Sequence, residues 1–309
     1  MSRRILTAAA SVATLVAGLS TTDAGASPID TSTRAVRSDA VRGVAGPTVV
    51  AVGDIACAPG DSKHPCQQAR TAALAKSYSP KYVLGLGDLQ YEVGSLHAFR
   101  NSYDESWGAL KSITKPVPGN HEYYTGGASG YYAYFRNQQP GPPGYYAFDV
   151  GTWRIYALNS NCAKISCRRQ VRWLEANMKN HRRRCSAIML HHPRFSSGGE
   201  HGSSVVARRF WEVAHQQHAD LALSGHDHDY ERFRRLTPSG KPSENGILGF
   251  VSGAGGKSLY RFGNVVRGSV ARDNHTSGVL ALSLGRGRFG FEYRTIDGKV
   301  VDYGARSCR

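Results

Sequence analysis

Five short apolar runs of this 309-residue chain each end in side chains that bind cations. Thr48-Val49-Val50-Ala51-Val52 leads into Gly53-Asp54, and Lys81 to Leu86 leads into Gly87-Asp88, with Tyr91 three residues on. Ile113 to Val117 is followed by Asn120-His121-Glu122, Ala187 to Leu190 by His191-His192, and Leu221 to Leu223 by Gly225-His226-Asp227-His228. Carboxylate, carboxamide and imidazole donors suit iron, manganese and zinc. Asp88 has two hard oxygens with which to bridge two cations, and Tyr91 can add a phenolate. Alone, a Gly-Asp pair is ordinary turn chemistry, its Asp capping the next helix, and a lone strand-end His is ordinary packing. Five such ends are hard to explain that way, because buried polar groups are costly without partners. The set points to a two-metal site. His226 and His228 are two apart, so Gly225 must turn the chain to aim both.

Ligand sites of open α/β sheets gather at the carboxyl ends of strands. The elements carrying these residues should therefore be strand–helix–strand units. The pattern predicts strands at 48–54 and 81–84, joined by a helix over 65–78 that opens on Pro65. A second helix spans 95–112, with Leu96, Phe99, Tyr103, Trp107 and Leu110 at threes and fours. A third strand follows at 113–117. Residues 123–146, rich in Tyr, Gly and Pro, read as a long irregular loop lining a mouth. Packing is the plainer role for its tyrosines, and stacking on a nucleobase the alternative. Next come a hairpin (145–150 and 153–158), a helix at 168–180, a strand at 187–190, a helix at 203–218 and a strand at 221–223. Beyond residue 246 the pattern is strand-rich, at 247–251, 278–284, 289–295 and 300–303. The fold class is α/β: a four-layer α/β/β/α sandwich of two mixed sheets flanked by helices. One domain is expected over 47–309.

The chain opens with Met1-Ser2-Arg3-Arg4, an apolar run from Ile5 to Leu19, and Ala24-Gly25-Ala26. This is the layout of a secretory signal peptide over residues 1–26, followed by a flexible leader over 27–46. No later stretch is apolar for long enough to span a bilayer, so an exported, extracellular protein is expected. Export favours disulfides among the six cysteines. Local pairs Cys57–Cys66 and Cys162–Cys167 leave Cys185 to hold the tail through Cys308. The net charge of +16 is carried mostly by arginine. The clusters at Arg182–Arg184, Arg208-Arg209, Arg234-Arg235 and Arg286/Arg288 read as a solvated surface. Alternatively they steer phosphorylated substrates or give weak association with anionic polymers. No nucleic-acid-binding motif stands out.

The motifs Gly-Asp, Gly-Asp-x-x-Tyr, Gly-Asn-His-Glu, a strand-end His and Gly-His-x-His resemble those of the calcineurin-type metallophosphoesterases. Tyr91, with Gly225-His226-Asp227-His228-Asp229-Tyr230-Glu231-Arg232, is similar to the purple acid phosphatases, as is the late segment Gly253-Ala254-Gly255-Gly256-Lys257. The resemblance covers about residues 48–300. It departs at Ala56, where the family often has Gly, and at Ile188, where Val is usual; neither removes a ligand. Carried over, it implies one metal on Asp54, Tyr91 and His228, another on Asn120, His191 and His226, and Asp88 as the bridge. It further implies Fe(III) in the Tyr91 site, with a visible charge-transfer band, and Fe(II), zinc or manganese in the second.

The implied chemistry is a binuclear acid phosphatase acting on phosphorylated small molecules. Two cations about 3.5–4 Å apart acidify water and clamp phosphate oxygens, and the hydroxide attacks phosphorus in line. The leaving oxygen needs a proton, for which His is suited. His121 is the first candidate to hold phosphate or supply that proton, with His192 and His201 next. Arg194 or Arg232 is a candidate phosphate clamp. An acidic optimum is expected. The competing readings are a phosphodiesterase or nucleotide hydrolase on the same site, and a non-catalytic basic protein that binds anionic polymers.

Overall fold

The computed structural model describes residue 41, residues 43–63 and residues 65–309. The expected signal peptide and most of the leader lie outside the described residues. The last leader residues are packed: Val44 is buried, and its carbonyl accepts from the Ser283 hydroxyl at 2.6 Å.

β1 (Thr48–Val52), β2 (Tyr82–Gly85) and β3 (Thr114–Pro116) are parallel neighbours. α1 (Gln68–Ser77) and α2, a helical run over residues 96–113, cross between them. The run α2 passes through α, π, α and 3-10 geometry in turn. α3 (Ser129–Tyr134) leads to the hairpin of β4 (Tyr146–Val150) and β5 (Trp153–Ala157). There follow α4 (Cys167–Asn180), β6 (Cys185–Met189), α5 (Arg208–Gln216) and β7 (Leu221–Ser224). The remainder is β8 (Tyr230–Leu236), β9 (Ile247–Ser252), β10 (Ser269–Asp273), β11 (Gly278–Gly285), β12 (Arg288–Thr295) and β13 (Val300–Ser307).

Among the described residues these strands form two mixed sheets, ordered β13-β12-β11-β1-β2-β3 and β10-β8-β9-β7-β6-β5-β4. The period-2 alternation of a strand explains the layers. Val49 and Ala51 of β1 face the other sheet, while Val50 and Val52 face Ala72 and Ala75 of α1. On β6, Ala187 and Met189 point between the sheets and Ile188 points toward Leu174 of α4 and Phe210 of α5. Helices therefore cover both outer faces, as expected. Each fully buried valine contributes roughly 1.5–3 kcal/mol. Trp153 of one sheet donates to the Gly285 carbonyl of the other at 2.9 Å.

The three disulfides are Cys57–Cys66, Cys162–Cys167 and Cys185–Cys308, the expected pairs. The last joins the start of β6 to the residue after β13, and so links the two sheets. Among the described residues no helix is long and apolar enough to cross a membrane.

The structure departs from the sequence reading at five elements. α1 starts at Gln68 rather than Pro65, because Cys66 is tied to Cys57 and the Gln67 amide donates to Gly256. α5 starts at Arg208 rather than Ser203. There the Ser203 hydroxyl accepts from the Ser196 amide, and the Ser204 amide donates to Pro193, local bonds that compete with a helix. The loop 123–146 contains α3, whose Tyr131 and Tyr134 are buried among Phe99, Tyr103 and Phe135. β8 was not foreseen, because an irregularity between Arg232 and Arg235 breaks its alternation. β10 was not foreseen either; it is a polar edge strand.

Candidate metal centre

β1, β2, β6 and β7 are parallel within their sheets, and the sharp turns after them bring the expected ligands together. Asp54, Asp88 and His226 all hold left-handed backbone, with φ of 59°, 47° and 76°. Such φ values cost about 1–3 kcal/mol each for a side chain other than Gly. Gly87 precedes Asp88 with φ 85°, and a Cβ there would lie 2.6 Å from His191 Nδ1. The chain thus accepts strain three times over to aim these groups inward.

Two clusters result, sharing one carboxylate oxygen. In the first, the Tyr91 hydroxyl donates to Asp54 Oδ1 at 2.8 Å and lies 2.9 Å from His228 Nε2. In the second, His191 Nε2 lies 3.0 Å from Asn120 Oδ1 and 3.1 Å from His226 Nδ1. Asp88 Oδ2 lies 3.2 Å from Tyr91 Oη and 3.2 Å from His191 Nε2. Its other oxygen accepts from the His121 amide at 2.8 Å.

The tautomers follow from carbonyl partners, which can only accept. His191 Nδ1 must donate to the Leu86 carbonyl at 2.9 Å, and His228 Nδ1 to that of Ser258 at 2.6 Å. In the neutral rings, both Nε2 atoms then present lone pairs to the clusters, the arrangement of metal-binding imidazoles. Against the effect of burial, the Asp88 and Asp54 carboxylates push His191 up to about 9, so without a metal ion its Nε2 carries a proton toward Asn120 Oδ1 and Asp88 Oδ2, the place a cation would take.

Burial, and after it the charges of Asp54 and Asp88, push the Tyr91 phenol well above its ordinary range. A phenolate here therefore needs a strongly Lewis-acidic cation beside it. Burial and the Asp88 charge raise Asp54, against the pull of His191. Burial also acts to raise Asp88, but His191, His121 and His226 outweigh it and hold it well below the carboxylate range. His228 is lowered to about 3, chiefly by burial.

The three other histidines ring this centre. His121 Nδ1 donates to the Glu92 carbonyl at 2.6 Å, and its Nε2 lies 4.0 Å from Asp88 Oδ2. Its ring packs on Tyr91 and on exposed Tyr124. His192 is less open: its ring packs 4.4 Å from that of His226, and Nδ1 lies 2.7 Å from Ser160 Oγ. His201 is exposed and stacks on His226 at 4.1 Å. The two arginine candidates do not join them. Arg194 donates to Pro238 and covers Phe195, and Arg232 is bound to Asp302 through two nitrogens. Each is held by its own partner away from the ligands.

The sequence reading missed the groups that hold the loops. Buried Glu122 accepts from the amides of Asp88 (2.9 Å), Leu89 (2.9 Å) and Gly119 (2.6 Å), latching two ligand loops together. Asp227 accepts from the His201 and Gly202 amides, and Glu231 from the Ser197 amide and hydroxyl. Together they tether the loop that carries His201. Tyr260 stacks on His228 at 3.9 Å, and Lys257 pairs with Glu92, its Nζ 5.3 Å from the Tyr91 ring centre. The signals were present in the Gly-Asn-His-Glu motif and in the glycine-rich stretch before Lys257. The cysteines near Asp61 and Asp220 are in disulfides, so they offer no thiolate.

An uncharacterized Mycobacterium tuberculosis (strain H37Rv) protein, Rv2577, is 29% identical over 147 residues, which are 39% of this chain and 28% of that protein. The purple acid phosphatase PPD1 from yellow lupin (Lupinus luteus) seeds superposes with a TM-score of 0.72 at 20% identity, over 85% of this chain and 54% of that one. A dimetal phosphatase from Danio rerio superposes with a TM-score of 0.60 at 15% identity, over 85% of this chain and 100% of that one. The chain thus spans little more than a quarter of the curated relative and about half of the lupin enzyme, and the structural likenesses speak for the fold alone. The family model for calcineurin-like phosphoesterases matches residues 47–230. That stretch is more than half of the chain and contains all five strand-end segments, so this protein belongs to the calcineurin-like phosphoesterases.

Proposed function

We propose that the chain is an exported acid phosphatase of the purple type, hydrolysing phosphate monoesters at two metal ions. Family membership implies a dimetal centre and phosphorylated substrates. In this reading Asp54, Tyr91 and His228 would hold Fe(III), Asn120, His191 and His226 would hold Fe(II), zinc or manganese, and Asp88 would serve both. The observation that carries the reading is Asp88 Oδ2, 3.2 Å from a donor atom of each cluster. When bound, the cations supply Lewis acidity toward phosphate oxygens and water. The chain's own groups do the rest. His121 Nε2 faces the centre while its Nδ1 is fixed on Glu92, so it delivers a proton from Nε2 to the leaving oxygen. His201, exposed over His226, binds phosphate oxygens as substrate enters. His192, wedged between Ser160 and His226, positions the His226 ring. Export accords with the three disulfides. Association with anionic polymers, also expected from the charge, belongs to the far end of the molecule.

The test is the visible spectrum of the iron-loaded protein, with turnover of a phenyl monoester, a phosphodiester and ATP. A charge-transfer band lost in Tyr91→Phe, and a monoester preference at acidic pH, are expected. Faster turnover of the diester or ATP would move the substrate class to the second reading. A colourless, fully active protein would remove iron from the Tyr91 site.

A further inference from the structure

The arginines are spread along the sequence but gathered in space. Arg182, Arg183 and Arg184 precede β6, whose other end leads to His191. With Arg309 they line a cavity of about 390 Å³. Arg234, Arg235 and Arg306 line a neighbouring one of about 660 Å³. Arg309 lies close enough to Arg235, and Arg235 to Arg306, for their charges to repel. Arg184, Arg234 and Arg306 are exposed. These residues sit where β6 begins and where β8 and β13 end, the opposite strand ends from the ligands. A strand and its flanks separate the two sites, on the order of 20 Å. The charge is therefore misplaced for steering substrate to the metal centre.

Compensation is incomplete. Arg183 shares Asp149 with Arg154, Asp220 is buried and accepts from the Arg309 amide, and Glu244 lines the second cavity. The C-termini of α4 and α5 point here and add about half a negative charge each. Set against seven guanidiniums, these leave about three positive charges unmatched. Guanidinium forks grip phosphate oxygens in pairs. Neither cavity offers an exposed Phe, Tyr or Trp for base stacking, since Tyr156 is buried and the exposed rings there are the smaller imidazoles of His181 and His218. Two adjoining concavities suit a flexible chain better than a flat bilayer or a rigid duplex.

We propose that this basic end is a docking surface for linear inorganic polyphosphate. The inference is independent of the catalytic reading, so it is tested on the metal-stripped full chain. Binding of labelled long-chain polyphosphate is followed by fluorescence anisotropy across a salt series. Arg235 and Arg309 spend their guanidiniums on the carbonyls of Gly246, Ser307, Asn245 and Ala219, so with the other five as contacts the slope of log K against log salt is about −3.5. In the triple variant Arg182→Gln, Arg183→Gln, Arg184→Gln it falls to about −1.5, with at least about tenfold weaker binding at physiological salt. Arg234→Gln with Arg306→Gln gives a smaller loss. Both variants, once metal-loaded, turn over a small phenyl phosphate as the parent does. Parent-like affinity and slope in the triple variant would overturn the proposal. So would tighter binding of heparin, duplex DNA or anionic vesicles than of polyphosphate. Binding that appears only on metal loading and vanishes in Asp88→Asn would place the polymer at the metal centre instead.

Discussion

At one end of the strands, Asp54, Asp88 and His226 sit in left-handed backbone and aim acceptors at one another. At the other end the strands start in regular geometry, and the Cys185–Cys308 bond closes both sheets. The first end carries strain and buried acceptors; the second carries a covalent staple and solvated arginines. Strain that persists in a packed protein must be over-determined by its surroundings. Here Glu122, Asp227 and the Leu86 and Ser258 carbonyls supply that restraint. Binding chemistry and folding stability are thus divided between the ends, and substitutions should separate them.

Asp88→Asn should have the largest effect on function. It removes the charge shared by both clusters and should lower kcat by about 10³-fold or more. Its unfolding midpoint should move far less than the rate, because Asn keeps the shape of Asp88 and an acceptor for the His121 amide, although His191 loses its charged partner. Comparing steady-state rates with a denaturant melt separates the two. Replacing both Cys185 and Cys308 by Ala should do the reverse. The bond closes a loop of sequence separation 123, so stability should fall by about 4–5 kcal/mol. Metal content measured well below the new midpoint should stay at the parent value. Glu122→Gln should fall between them, weakening metal affinity about 10–100-fold by leaving amides of two ligand loops less well held. Titration with zinc against a competing chelator reads this out. Smallest of all is Asp149→Asn. Its pairs with Arg154 and Arg183 are at the surface, so chemical denaturation should show a change under about 1 kcal/mol.

The two ends also differed in how far they were legible. The seven expected ligands announced themselves because each lies within a few residues of the end of an apolar run, and the carboxyl ends of parallel strands gather on one side of each sheet. The disulfide pairing was legible for a similar reason, since two short local loops left one long one. The Glu122 latch was not, because its partners are backbone amides at 88, 89 and 119, and an amide leaves no mark on sequence. β8 was hidden by its irregularity, and α3 by a Tyr- and Gly-rich stretch whose rings pack in three dimensions without a helical period. The basic end was legible as charge but not as place. Its arginines precede β6, end β8 and end β13, and only the strand order brings those positions together.

The most direct test is metal content per chain. The parent and Asp88→Asn would be reconstituted with iron, zinc and manganese, freed of excess metal, and analysed by plasma mass spectrometry. A centre in which one Asp88 oxygen serves both clusters should hold two ions per chain in the parent and one or none in the variant. A parent that retains fewer than two, or a variant that retains two, would contradict it.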